Sequence, residues 1–370
     1  MRKNFLIYGL SLVGLIILIL LYLSVNGIKT DKFNHLINDK LKGFDEKLSL
    51  KTNDIFLKLN LNNNSININI DNPRIYSGSE FIDLSKIDIN LDLIKLIKND
   101  NSIKNIQIVS KENSIKTLTN FINSYKFNIS RLVIFNQIES GNIQAKTNIY
   151  FDEENQNDFT YEVAGKVNNA KLNTLNETFV SNIKFNFDIK NQIFNFDNIN
   201  LRYDNIDFQS KKIRISKSGK NFEVKGDLSN KKGLIKPNSF SKLVNFNLDF
   251  LEKKEISMET ENEFSFNINS NHLIKGLNLK SSLKFDELYF NKKYQDLIYL
   301  EDGVIETEYS NNNLSAQILS KYSFIEDESK NVDNDKNDLN LYIVKKNNEN
   351  FEVKGSLSNK KKNNRSKSFI

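Results

Sequence analysis

From Ile66 almost to the end of the chain, apolar side chains fall at every second position with polar ones between. Ile66, Ile68 and Ile70 alternate, as do Ile87, Ile89, Leu91 and Leu93; Phe185, Phe187 and Ile189 follow, then Phe194 and Phe196, Ile199, Leu201 and Tyr203, and Phe246, Leu248 and Phe250. Successive side chains of a strand point to opposite faces, so this spacing gives each strand one apolar and one polar face. Helical spacing is scarce. Phe33, Leu36, Ile37, Leu41 and Phe44 predict a short amphipathic helix over 30–44, either capping the sheet or lying on a membrane surface. DLIKLIK (Asp92–Lys98) predicts a helical turn, and Ile115, Leu118, Phe121, Ile122 and Tyr125 predict a helix from Ser114 to Lys126. A third helix is expected around Phe240, Leu243 and Val244, although NFNLDFL there also reads as a strand. Three short helices cannot cover so much sheet, so its apolar face must curl on itself and take up a ligand, or aggregate.

The N-terminus supplies a location. Arg2 and Lys3 precede the uncharged run Phe5–Val25, which as a helix spans roughly 31 Å at about 1.5 Å per residue, enough to cross a bilayer's hydrocarbon core. The run is longer than the apolar core of a cleaved signal peptide, so a retained anchor is expected. Lys29, Lys32, Lys40 and Lys42 follow it, so charge orients it only weakly; the short N-terminus inside and the long domain outside is the expected arrangement.

The segment NFEVKGDLSNKK at 221–232 returns as NFEVKGSLSNKK at 350–361, differing only at Asp227 against Ser356, and a looser copy, YEVAGKVNN, starts at Tyr161. This reads as one strand ending in a glycine turn, used three times in a chain of repeated sheet units. The expected organisation is an anchor over 1–27, the amphipathic helix within 28–46, a β-groove over 47–325, an acidic loop at 326–338, final strands over 339–359 and a basic tail, neither strand nor helix, at 360–370. GLIKPNSFSKLV follows the first copy of the repeat and only the basic tail follows the second, which predicts that the chain is a shortened form of a longer protein.

Composition narrows the chemistry. With two prolines and 13 glycines in 370 residues, the turns must come mainly from Asn, Asp, Ser and Lys. The absence of cysteine removes disulfides, thiolate catalysis and cysteine-bound zinc together. The net charge of +6 comes from 52 basic and 46 acidic residues interspersed along the strands, a solvated polar face rather than a nucleic-acid footprint. His35 and His272 read as surface residues; there is no GxSxG elbow, and KSGKN at 217–221 lacks the upstream glycine of a phosphate loop. Counting an EF-hand from Asp333 puts Asp338 and Val344 where glycine and glutamate are needed. The expectation is a non-enzymatic protein with no cofactor and no metal.

Leu57 to Ile108 resembles the N-terminal region of the AsmA-like proteins, bacterial relatives of bridge-type lipid-transfer proteins. The shared features are a single span, a short helix, an alternating strand SININID, the Asn72–Pro73 step, LSKIDINLDLIKLIKND from Leu84 to Asp100, and the strand SIKNIQIV. VKGDLSNKKGLIKPNSFSKLVNF is similar to the family's strand-then-short-helix element. The resemblance covers about the first 290 residues. It implies a mostly β fold, a transmembrane helix followed by an elongated, curled antiparallel sheet shaped like a taco, with a few short helices. It also implies a single-pass inner-membrane protein whose bulk lies in the periplasm and whose groove carries phospholipid toward the outer membrane, with inner- or outer-membrane proteins as further partners. The groove lining is expected from Ile66, Ile68, Ile70, Ile87, Ile89, Leu91, Phe185, Phe187, Phe194 and Phe196, with the inward parity changing at each bulge. An alternative is a periplasmic scaffold that assembles outer-membrane proteins by β-augmentation. A β-solenoid adhesin fits less well, given the irregular repeat spacing and low glycine content.

Overall fold

The computed structural model describes residues 14–15, 17–31, 33–52, 55–98, 103–125, 136–152, 158–173, 179–203, 206–237, 250–252, 255–271, 273–290, 298–324, 337–347, 350–358 and 367–369. The chain is mostly β: the alternating runs form one long antiparallel sheet that does not close, with few helices. Asparagine makes many of its turns. Asn311 and Asn312, at φ 51° and 62°, form the two-residue hairpin between Ser310 and Asn313, a left-handed geometry that Asn tolerates better than most side chains. The chain divides into two compact units, residues 1–170 with 187–191, and residues 171–186 with 192–370.

In the first unit, residues 14–15 and 17–25 are helical (α1), with Leu18, Tyr22 and Val25 each more than half exposed. Most of the expected anchor lies outside the described residues, and among those described no helix is long and apolar enough to cross a membrane. The helix expected over 30–44 is α2 (Phe33–Phe44); the segment assigned to it, 28–46, opens with a short strand, β1 (Ile28–Thr30), which pairs with β3 (Ile55–Asn60). Strands β3, β4 (Ser65–Asp71), β6 (Glu80–Asp92), β7 (Ile103–Ser110) and β9 (Ile138–Phe151) then pair in that order. The first residues of β6 also pair with β5 (Arg74–Ser77), which pairs with β2 (Leu48–Lys51), making a small second sheet. This sheet and α2 cover the main sheet: Leu50, Ile55, Ile68, Ile70, Leu84 and Ile87 form a core, with Ile37 and Leu41 of α2 packed against it. Asn38 fixes the helix to β2, its Nδ2 donating to Leu50 O at 2.9 Å and its Oδ1 accepting from Leu50 N at 2.6 Å. The turn at Asp92–Lys98 is α3 (Leu93–Ile97), capped by the Asp92 carboxylate, which accepts from the N–H groups of Ile94 and Lys95. After β8 (Asn113–Ser114), the second expected helix is α4 (Ile115–Tyr125), which packs on β6 and β9. The third expected helix lies outside the described residues.

The second unit is a meander: β12 (Ile193–Tyr203), β13 (Ile206–Ser218), β14 (Asn221–Ile235), β15 (Ile256–Ile268), β16 (Ile274–Tyr289), β17 (Ile298–Ser310), β18 (Asn313–Phe324), β19 (Asn337–Lys345), β20 (Glu352–Ser358) and β21 (Lys367–Phe369) pair successively, each antiparallel to the last. The tail expected to be structureless thus supplies a short strand, Lys367–Leu357 and Phe369–Gly355 being register partners. The end of the expected acidic loop, Asn337 and Asp338, belongs to β19, and residues 325–336 lie outside the described residues. β10 (Phe159–Asn173) and β11 (Phe179–Lys190) contribute residues to both units.

The repeated Glu-Val-x-Gly does not end in a turn. Gly165, Gly226 and Gly355 all lie within strands. A side chain on Gly165 would meet the Phe187 ring at 2.6 Å, and one on Gly226 would meet Phe264 at 3.1 Å and Ile213 at 2.9 Å. In those two copies the glycine is a seat for an aromatic ring from a neighbouring strand, a pairing that offsets the weakness of glycine in a sheet.

Candidate functional site

The ten residues expected to line a groove fall into separate settings. Register pairs Ile66 with Leu91, Ile68 with Ile89 and Ile70 with Ile87, so the six from β4 and β6 share one face. That face is largely core: Ile70 is fully buried and Ile68 and Ile87 nearly so, while Ile66, Ile89 and Leu91 at its flank are half-buried. Phe187 of the first unit lies over Gly165. Phe185 and Phe196 meet edge-on in the second unit at 5.6 Å, and Phe194 and Phe196 pair with Ile215 and Ile213.

From Phe194 and Phe196 an apolar lane continues across the second unit. One row runs Phe194, Ile215, Val224, Phe266; the next runs Phe196, Ile213, Gly226, Phe264, Leu279, Tyr309, Leu314. Except for buried Val224, the side chains of these rows are half-buried, and none of the described helices packs on β12 to β21. Phe264 and Phe266 stack along β15 at 6.0 Å. Sequence reasoning did not single these residues out, although the alternation in EFSFNI and GLNLKSSL carries them.

Nearer the other end of the strands, a second lane is closed. Tyr203, Phe208, Met258, Phe285, Leu300 and Tyr322 are all buried. The chain itself covers this end: Leu251 bridges to Phe290, Glu252 N donates to Tyr289 O at 2.9 Å, and Phe250 stacks on Phe290 at 6.5 Å. Between the lanes runs a polar seam. Thr260 Oγ1 donates to Asn230 Oδ1 at 2.5 Å, Asn262 Nδ2 donates to Leu228 O at 2.8 Å, and Ser281 Oγ donates to Asn262 Oδ1 at 2.7 Å. Asn230 Nδ2 in turn reaches Met258 O at 3.2 Å. These polar residues occupy positions whose parity matches the apolar lanes, so the break in alternation at each is the sequence signal of the seam.

The opposite face is wet. One of its hollows, about 750 Å³, is lined by five carboxylates, Asp227, Glu261, Glu263, Glu306 and Glu308, against two lysines, Lys211 and Lys280. Asp227 accepts from the N–H groups of Lys211 and Lys212 at 2.8 and 3.0 Å, closing the bulge in β13, and Lys280 pairs with Glu308 at 3.4 Å. Farther along, Tyr289 and Tyr299 stack at 5.2 Å; burial, followed by the hydrogen bond to Glu287, pushes the Tyr289 phenol up to about 12. His35 sits exposed on α2, bonded to Asp39 at 2.7 Å, and His272 lies outside the described residues. Among the described residues no group of His, Cys, Asp and Glu is placed to hold a metal ion.

Fold and site together define a mostly β protein of one long, open antiparallel sheet, whose second unit has an apolar face closed at one end of its strands and without a described helix over the other. No family model, no curated protein and no solved structure matches the chain.

Proposed function

We propose that the chain is a non-enzymatic, membrane-anchored protein that holds phospholipid acyl chains on the open lane of its sheet, in the manner of a groove that conducts lipid across the periplasm from the inner membrane. The carrying observation is the open lane itself. Phe264, Leu279, Tyr309 and Leu314 form a row of apolar side chains, with Phe266 in the row beside it, over which no described helix packs. Such a face favours an apolar ligand, and each methylene buried there is worth about 0.8 kcal/mol. The exposed apolar side chains of α1 support the anchor, because an unpacked Leu18, Tyr22 and Val25 suit lipid better than water.

The test is photo-crosslinking of the full chain in proteoliposomes containing a phospholipid with a photoactivatable acyl chain. Crosslinks on the peptides carrying Phe264, Phe266 and Leu279, and none on Met258 or Phe285, are the expected result. Crosslinks confined to the first 27 residues would overturn the reading. Capture of unfolded outer-membrane polypeptides along the lane, in place of lipid, would favour the assembly scaffold.

A further inference from the structure

We infer that the tight-turn rim of the second unit docks on an anionic lipid surface. The meander brings four turns to one end of the sheet, those joining β13 to β14, β15 to β16, β17 to β18 and β19 to β20. The open lane crosses the strands near this end. Phe222, Ile268 and Ile274 continue it on adjacent strands, Phe222 pairing with Ile268 and Ile268 with Ile274. Among the described residues apolar exposure is high there: Leu273 is 58% exposed, Ile274 61% and Phe351 57%, whereas at the opposite end Ile235, Ile256 and Leu300 are buried, with Leu234 and Phe179 exposed.

The same rim is basic. Lys217, Lys220, Lys275, Lys345 and Lys346 lie in or beside the turns, and among the described residues none of them is in an ion pair. Lys345 instead holds its ammonium 4.9 Å from the centre of the Phe351 ring. Among the described residues the nearby acids are mostly engaged, Glu223 with Lys225 at 2.7 Å and Glu308 with Lys280 at 3.4 Å, leaving Glu352; in sequence Glu349 also falls in the β19–β20 connection. Of two hollows on the wet face, the one farther from the rim is lined mainly by carboxylates, and the one nearer it, about 820 Å³, brings in Lys212, Arg214 and Lys225, so the balance turns positive toward the rim.

Exposed apolar tips flanked by unpaired lysines match the chemistry of a bilayer with acidic headgroups, where lysines meet phosphate and the tips enter the acyl boundary. A nucleic acid would use the lysines and leave Leu273 and Ile274 without a partner. A protein groove would use the apolar tips without requiring five unpaired lysines.

The chain has no cysteine, so Asn271→Cys places a single environment-sensitive dye in the β15–β16 turn, and Lys236→Cys places one at the other end of the strands. The full chain is held in nanodiscs of phosphatidylcholine and titrated with phosphatidylglycerol vesicles. Expected is a blue shift, quenched by brominated acyl chains, for the dye at 271 and not at 236. Replacing the five lysines by glutamine should weaken binding by about fivefold per lysine at low salt. Phe222→Ser with Ile274→Ser should reduce the blue shift. The inference is overturned if the dye at 271 does not respond, if it responds equally at 236, if phosphatidylcholine vesicles serve as well, or if the glutamine variant, native by circular dichroism, binds unchanged. A rim that docks while the lane takes no acyl chain would sink the proposed function and leave this inference standing.

Discussion

Phe285→Ala and Phe266→Ala compare the closed and open lanes directly. Phe285 is 3% exposed, pairs with Met258, and lays its ring on Gly303 within the largest buried cluster of the second unit. Removing a ring so enclosed costs about 3–5 kcal/mol, transfer and cavity terms together. Phe266 lies on the same face of the sheet, pairs with Val224 and stacks on Phe264, yet one side of its ring has no described layer against it. Its truncation leaves no closed cavity and loses only partial burial, about 1 kcal/mol. Urea unfolding followed by circular dichroism, with hydrogen exchange of the β15–β17 amides as a local readout, should show a large loss for Phe285→Ala and a small one for Phe266→Ala. The lipid crosslink should respond in the other order, falling with Phe266→Asp. Equal destabilisation by the two alanine variants would mean that the open lane is protein core and would refute its reading as a binding face.

Gly303→Ala should destabilise by about 1–3 kcal/mol, since its new methyl would lie within 2.6 Å of Phe285 Cε2; Phe285→Leu in the same chain should recover part of the loss in thermal unfolding. Thr260→Val removes the proton held by buried Asn230 Oδ1 and should cost about 1–3 kcal/mol, whereas Thr260→Ser should be much milder. Tyr289 is raised from 10.0 to about 12, so its contribution to stability is complete below pH 10 and is lost as pH climbs through about 12; ultraviolet absorbance titration should show a late-ionising tyrosine that disappears in Tyr289→Phe. Ile68→Asp buries a charge in the first unit's core and should unfold that unit, read as lost protection in β4 and β6, rather than act selectively on lipid binding.

Alternation identified which residues share a face, and it did so well. Ile66, Ile68 and Ile70 lie opposite Leu91, Ile89 and Ile87 as the spacing requires. It carried no information on what lies above that face. The cover over Ile70 comes from β2, β5 and α2, whose placement depends on β6 pairing with β5 at its start and with β4 later on, a tertiary choice without a local signature. The repeat was legible as a strand, but glycine's role was not: a turn and a ring seat look alike until the neighbouring strand's Phe187 or Phe264 is in register. β21 was unreadable for a related reason, because backbone pairing with β20 needs no apolar alternation in KSF. The seam was readable in principle, since Asn262, Ser281 and Thr307 interrupt an otherwise apolar parity.

The seam also limits what the open lane can hold. Its amides and hydroxyls are already bonded to one another and to the backbone, so covering them costs little, but an acyl chain laid across them gains no apolar contact. A lipid chain therefore does best running along the open lane, from strand to strand, and does poorly reaching toward Phe285. The closed lane serves the open one in turn. An extended sheet with one wholly uncovered apolar face would associate through it; here Tyr203, Phe208, Met258, Phe285, Leu300 and Tyr322 supply a core at one end of the strands, which leaves the other end free to stay uncovered. On this reasoning the rim lysines complete the arrangement, because they would bring that uncovered end to the surface from which acyl chains come.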